Sequence, residues 1–538
     1  MGLRVIACSA PQFSHGEAGE MALSSADPAS LYNACRYAAS LASKAEGAWG
    51  ESNWRGTRSD RRQSTLLLSD MDDVQRRLTP LLVRVRPNLV LIGAMSICFR
   101  GAIETAKYIR EFLGDDVCIV LGGRHATETI YRDDENRVRH HLASPLRLIA
   151  DGKVSSCFDI VLSGDGEHFM AEIGCVVASL EARGFSPREA KFSLGHLTTT
   201  PGHWIAGTIM DDQVHTVCSS GMPLDYNGMP SPAEMFGITT SFDVFGGAPT
   251  AHVFSDIGRG CIYDCIFCSE RISVVGPPRQ FKISPHRLCG QLAAARRVVK
   301  ADYGENFPVS AFIEDSTLLG WNSALVAQFE KVFDPLENPV RLGGQATIDQ
   351  IVNNPALARR LGRMGLEYLF IGVETPRPEL VGGLHKNIAT KKGSWMERAD
   401  KAVEILSEAG IKVGVSLLFG MGEGAAERQQ LFSALESWRK TGSLITISMN
   451  WAVQHPLRNT VQGNEYTYLD WAVSPGPMLS LLRNFGESSE IYPIAGGTSP
   501  DEASVKDILQ ATTEIMAMPP AHPMQKQEAD HVPGRGVA

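Results

Sequence analysis

The pattern of apolar and polar positions divides the chain into two α/β regions. In the first, short apolar runs at Val5–Cys8, Thr65–Leu68, Leu89–Ile92, Val117–Leu121 and Asp159–Leu162 read as strands. Helix-like stretches at 30–43, 71–84, 102–112 and 167–182 fall around and between them. Buried strands separated by helices predict a parallel, doubly wound, Rossmann-like sheet. The long, charged stretch 132–156 reads as an insertion before the last strand. From 190 to 247 the chain is rich in Gly, Pro, Ser and Thr without helical period, which predicts a linker with short strands at most.

The second region offers strands at His252–Ser255, Val309–Ile313, Val340–Leu342, Tyr368–Val373, Lys412–Phe419 and Leu444–Met449. Helices are expected between them, as at 285–300 and 395–409. Six β/α units exceed a small domain and fall short of an eight-unit barrel, so a partial (β/α)6 barrel is expected, with its strand C-termini on one active face. The resulting division is 1–190, a linker at 191–247, the barrel at 248–455, a small C-terminal segment shaping the substrate side at 456–520, and a disordered tail at 521–538.

Composition narrows the function. The 538 residues are 43% hydrophobic and 21% charged, as in soluble globular proteins with more than one core. The net charge is -9 without a long basic run, which argues against a nucleic-acid partner. No apolar run reaches the roughly 18 residues of a membrane span. The first apolar stretch is too short for a signal peptide, so a cytoplasmic protein is expected. Eight of the eleven cysteines (Cys8, Cys35, Cys98, Cys118, Cys157, Cys175, Cys218 and Cys289) are scattered singly and read as buried, reduced thiols.

The other three are Cys261, Cys265 and Cys268, just after the first strand of the second region. A C-x3-C-x2-C spacing puts three thiolates on one tight loop. Three ligands leave one iron of a cubane open for a further molecule, whereas a closed zinc or electron-transfer site wants four. The nearest further cysteine, Cys289, falls inside an expected helix. A zinc knuckle is the bland alternative.

This loop resembles the signature of the radical S-adenosylmethionine (SAM) superfamily. The resemblance implies a [4Fe–4S] cluster on Cys261, Cys265 and Cys268, whose open iron chelates SAM and cleaves it to a 5′-deoxyadenosyl radical. Phe267 matches the aromatic placed against the adenine, and Gly258-Arg-Gly260 the glycine approach to the loop. Glu314 or Asp315, after the second strand, matches the polar group that holds the SAM amino group; a helix N-cap is the alternative for Asp315. Gln345, at the end of the third strand, is a weaker candidate. Glu374, in Gly372-Val-Glu374, matches a site near the ribose or substrate. Leu418-Phe-Gly-Met-Gly-Glu423 resembles the fifth-strand motif but lacks its usual Pro.

A doubly wound domain ahead of such a loop resembles the cobalamin-dependent, class B radical SAM methylases. Three loops carry that resemblance: Gly93 to Ser96, Gly122-Gly123-Arg-His125, and Ser163-Gly164-Asp-Gly166-Glu167. It implies that Ser96, Gly122, Gly123, His125, Ser163, Gly164, Gly166 and Glu167 line the corrin and its nucleotide tail, glycines allowing close backbone approach. The chain has no Asp-x-His-x-x-Gly after its first strand. Ser14-His15-Gly16 lacks that pattern, so no histidine is expected on the cobalt lower face. The class implies transfer of a methyl from SAM, through methylcobalamin, to an unactivated carbon or phosphinate phosphorus of a small-molecule, natural-product precursor. It also implies an external electron donor such as flavodoxin or ferredoxin. Cyclisation or rearrangement with the same cofactors, and a non-catalytic cobalamin or iron–sulfur sensor, are the alternatives. A tRNA methylthiotransferase fits poorly, for want of a second cysteine set and a basic tail.

Overall fold

The structure is a computed structural model. It describes residues 2–11, 31, 34–38, 58–68, 71–133, 135–222, 230–238, 242–255, 261, 263, 265, 268, 282–337, 339–376, 394–451 and 501–519. Phe267, Gly258 to Gly260, residues 14–16, segment 456–500 and the tail 521–538 lie outside the described residues.

The first sheet has seven strands: β1 (Val5–Ser9), β2 (Thr65–Leu66), β3 (Leu89–Gly93), β4 (Cys118–Gly122), β7 (Ile160–Gly164), β8 (Trp204–Met210) and β9 (Gln213–Cys218). Their order is β2-β1-β3-β4-β7-β8-β9. The five strands from β2 to β7 are parallel. Every residue of β1, β3 and β4 is buried, as expected of strands covered on both faces. One face packs on α2 (Phe99–Leu113) and the other on α3 (Glu167–Ala182), so two apolar layers flank the sheet.

One expectation changes here. Residues 204–218 are not linker. They form an antiparallel hairpin that joins the sheet through β7. Trp204 and Ala206 face one core and Ile205 the other, and this alternation is too short to stand out among the glycines and threonines around it. The insertion at 132–156 carries a small hairpin of β5 (Ile130–Arg132) and β6 (Val138–His140), and a helix, Pro145–Ala150.

The second sheet has six strands in consecutive order, all parallel: β10 (Thr250–Val253), β11 (Ser310–Ile313), β12 (Arg341–Thr347), β13 (Leu366–Glu374), β14 (Lys412–Phe419) and β15 (Leu444–Trp451). Helices α4 (Ser284–Tyr303), α5 (Ser323–Val332), α6 (Ile348–Asn353), α7 (Pro355–Arg363), α8 (Trp395–Glu408) and α9 (Ala425–Lys440) cover its outer face around one large core. The third strand runs longer than its apolar pattern suggested, because Gly343, Gly344 and Gln345 continue it, so Gln345 lies within β12 rather than at its end. Helix α10 (Glu502–Ala517) packs Val505, Ile508 and Ile515 into the same core, against α9 and β15. That part of the C-terminal segment closes the outer layer instead of shaping a substrate side.

The inner face of this sheet is closed at one end by aromatic rings. Phe245, Phe312 and Tyr368 form a buried cluster with Phe242, Phe370 and Ile445. Side chains of β11, β13 and β15 meet there, so the sheet curls. Phe242 stacks on Phe312 with centroids 5.3 Å apart, and Tyr368 Oη is 2.7 Å from Thr446 Oγ1. Phe242 and Phe245 come from the stretch read as linker. Gly414 makes room for this floor, since a Cβ there would overlap Tyr368 Oη and Thr446 Oγ1.

The two sheets touch at named contacts. Arg61 of the short helix α1 (Arg58–Gln63) pairs with Asp302 at 2.5 Å, and Arg58 lies 3.8 Å above the Tyr303 ring. These cations meet the C-terminal end of α4, where its dipole favours positive charge. Arg36 lies 4.4 Å above the Phe254 ring and 3.4 Å from the Glu167 carboxylate.

Gly414→Ala should overpack the floor and cost about 1–3 kcal/mol, read as a lower urea midpoint at unchanged slope. An unshifted midpoint would contradict the packing described.

Candidate active site

Above the aromatic floor, polar side chains replace aromatic ones along the inner face. His252 on β10 is buried, and its Nδ1 is hydrogen-bonded to the Glu314 carboxylate just past β11. Ser416 of β14 donates to Glu374 at 3.4 Å, and Asn450 of β15 donates to Ser416 Oγ at 3.3 Å. Alternation along strands puts such residues on one side and the valines and leucines of the core on the other. In register, Gly343 opposes Tyr368 and Gln345 opposes Phe370, so Gln345 belongs to this inner face.

The cysteines sit at the C-terminal edge of the sheet, past β10. The chain entering their loop is pinned twice: Phe254 N donates to Gln291 Oε1 and Ser255 N to Asp315 Oδ1, both at 3.1 Å. Gln291 and Asp315 are themselves buried. Asp315 thus clamps the first strand's exit to the second's. This is a third role beside the two that its sequence suggested, and Glu314 is drawn to His252. Neither partner was legible, because a residue sixty positions away leaves no local signal.

Cys265 is buried, Cys261 and Cys268 are half-buried, and none is in a disulfide. Cys268 N donates to Cys265 O at 3.0 Å, which closes a turn. Among the described residues no three His, Cys, Asp or Glu side chains converge on the scale of a single ion. Three thiols on one loop suit a cubane, where each binds a separate iron and the fourth iron stays open. The donor set therefore fits a [4Fe–4S] cluster.

Glu374 ends β13 with a left-handed backbone, φ 62°, after a register shift at Gly372. Its side chain folds back over Gly372, where a Cβ would collide with it. A non-glycine residue in this region is strained, and such strain concentrates at functional sites. In the fifth-strand motif Glu423 accepts from Gly420 N and Met421 N, each at 2.9 Å. This carboxylate pins the turn.

The loops of the first sheet meet at the C-terminal ends of β3, β4 and β7. The strand order reverses between β1 and β3, the kind of position at which doubly wound sheets bind ligands. Most groups singled out there are turned into the protein. His125 is fully buried and stacks on Phe99 with centroids 4.1 Å apart. Its Nε2 donates to Ala143 O at 3.0 Å, while its Nδ1 and the Glu128 carboxylate each lie 2.9 Å from Ser96 Oγ, whose one proton serves one of them at a time. The expected loop or tail contact is replaced by this network, because burial in apolar surroundings makes the ring seek internal partners. Ser163 donates to Ile130 O at 2.8 Å, and Glu167 pairs with Arg36. The Tyr37 hydroxyl donates to Gly164 O, and its ring lies 3.2 Å from where a Gly122 Cβ would stand. Gly123 (φ 93°) backs onto Ala94 and Gly166 onto Leu162. Of the side chains expected to contact cobalamin, His125, Ser163 and Glu167 are engaged within the protein.

Burial pushes His125 down to about 3, from 6.5 when exposed. Between these values the unfolded chain takes up a proton that the folded chain excludes. Stability therefore falls with falling pH in that window, by up to about 1.4 kcal/mol per unit. His125→Gln should flatten this slope in urea titrations. Glu423→Ala, leaving two amides without their acceptor, should cost about 1–3 kcal/mol in the same assay; wild-type stability would contradict the pinning.

The sequence profile of the Radical SAM superfamily matches residues 255–435. No curated protein sequence matches the chain. Among solved structures, the radical SAM methyltransferase TsrM from Kitasatospora setae, with cobalamin and [4Fe–4S] cluster bound, is similar at 16% identity and TM-score 0.46, over 84% of this chain and 72% of its own. A radical SAM methyltransferase from Sphaerobacter thermophilus is similar at 11% identity and TM-score 0.29, over 65% of this chain and 92% of its own. The maturase HydG from Carboxydothermus hydrogenoformans follows at 16% identity and TM-score 0.26, over 49% and 56%. Similarity at these levels does not extend to activity. No helix among the described residues is long and apolar enough to cross a membrane. The profile match, spanning the cysteine loop and most of the six-stranded sheet, makes residues 255–435 a radical SAM domain, which implies a [4Fe–4S] cluster and SAM.

Proposed function

We propose that this chain is a cobalamin-dependent radical SAM methyltransferase acting on an unactivated carbon, or a phosphinate phosphorus, of a small molecule. The observation that carries the reading is the three-cysteine turn held at the C-terminal mouth of six parallel strands, behind a separate doubly wound sheet. When bound, the cluster and SAM would supply one-electron cleavage and a hydrogen-abstracting radical, and cobalamin would carry the methyl group to be delivered. Carbon without a lone pair is not a nucleophile, which is why such chemistry needs a radical route.

The chain's own residues bind and orient. Cys261, Cys265 and Cys268 hold the cluster. Asp315 fixes the approach to their loop through Ser255 N. The His252–Glu314 pair, Gln345, Glu374, Ser416 and Asn450 line the inner face beneath, where SAM and substrate would lie. The aromatic floor excludes water from the far end. Phe267 is assigned to the adenine by its place in the motif. The loops past β4 and β7, at the C-terminal edge of the first sheet, would hold the corrin. Reducing equivalents come from an external one-electron donor.

Dithionite-reduced protein should convert SAM to 5′-deoxyadenosine, and Cys265→Ala should lower the yield to background. An undiminished yield in that variant would overturn the site. Protein from cells supplied with cobalamin should hold about one cobalt per chain, as one corrin site requires. Cobalt at background would remove the methyl carrier and leave a radical enzyme of another reaction.

A further inference from the structure

We propose that Tyr263 is a positioning residue that ties the cysteine loop to the third strand of the barrel through Thr347. The proposal rests on the reading that the three cysteines hold a cluster.

Tyr263 lies midway between Cys261 and Cys265. The Thr347 hydroxyl donates to its phenol oxygen at 3.3 Å. The two residues are 84 positions apart, so the contact joins the loop past β10 to the end of β12. The loop's entry is already held, at Phe254 by Gln291 and at Ser255 by Asp315. Tyr263 adds a hold beyond the first cysteine.

The far end of this contact is rigid. Thr347 is the N-cap of α6 and forms a reciprocal box with Gln350. Gln350 Nε2 donates onward to Gly320 O at 3.3 Å. The neighbouring Asp349 is buried and is held by Arg398 of α8. A phenol fixed to this corner limits how far the segment from Cys261 to Cys265 can stray. A rigid cubane needs its thiolates at set separations, and ligand-orienting partners of this kind strengthen metal retention.

Tyr263→Phe keeps the ring and removes the contact. Thr347→Val removes it from the other side, and Thr347→Ser keeps the hydroxyl. Full-length protein would be purified anaerobically, its iron and sulfide counted, the reduced cluster examined by electron paramagnetic resonance, and loss of cluster absorbance timed in air. Tyr263→Phe and Thr347→Val should each lose the cluster about tenfold faster than wild type. The double variant should be no faster than either single one, and Thr347→Ser should behave as wild type. Resonance signals should broaden or shift in the first two variants, while thermal unfolding of Tyr263→Phe stays near wild type. Wild-type decay and spectra in both single variants, or rates that multiply in the double variant, would overturn the anchor. Wild-type protein without iron would instead sink the cluster reading beneath it.

Discussion

Parallel strands in consecutive order must end on the same edge, and the chemistry of this chain hangs from that constraint. Every strand of the second sheet delivers its last residues to one mouth. The first strand leads into the cysteine turn, the second ends in Glu314 and Asp315, the fourth in Glu374 and the fifth in the Glu423-pinned turn. The aromatic floor makes that mouth one-sided. It fills the lower end of the curl and leaves a polar inner face above, between His252 and Asn450.

The same edge logic governs the first sheet, with a different result. Its glycines were read as room for a ligand. Several of them instead accommodate the protein itself: Tyr37 against Gly122, Ala94 against Gly123, Leu162 against Gly166. Arg36 and Tyr37 are adjacent in sequence and face two directions. One reaches Phe254 at the entrance to the cysteine loop, and the other reaches Gly164. The two sheets are therefore joined close to both proposed cofactor sites, and again where Arg58 and Arg61 meet the end of α4.

Much of this was legible beforehand, for identifiable reasons. Continuous apolar runs such as Cys118 to Leu121 are unambiguous because both faces of the strand are covered. The cysteine spacing is local, so its chemistry shows without any fold. Elements whose stability comes from distant partners were not legible. The hairpin at 204–218 gains its strand character from pairing with β7, and Phe242 and Phe245 become core only because β11 and β13 curl around them. Likewise Asp315 looked like a SAM ligand or a helix cap, and its grip on the Ser255 amide depends on two strand ends meeting. His125 looked like a loop histidine, and only the fold reveals that Phe99 and Ser96 enclose it.

The claim on which the rest stands is that Cys261, Cys265 and Cys268 carry a cubane with one open iron. Anaerobic purification followed by iron, sulfide and zinc analysis tests it directly. The account predicts about four irons and four sulfides per chain, and loss of both when the three cysteines are replaced together by alanine. Stoichiometric zinc in place of iron, or iron and sulfide retained without those cysteines, would contradict it.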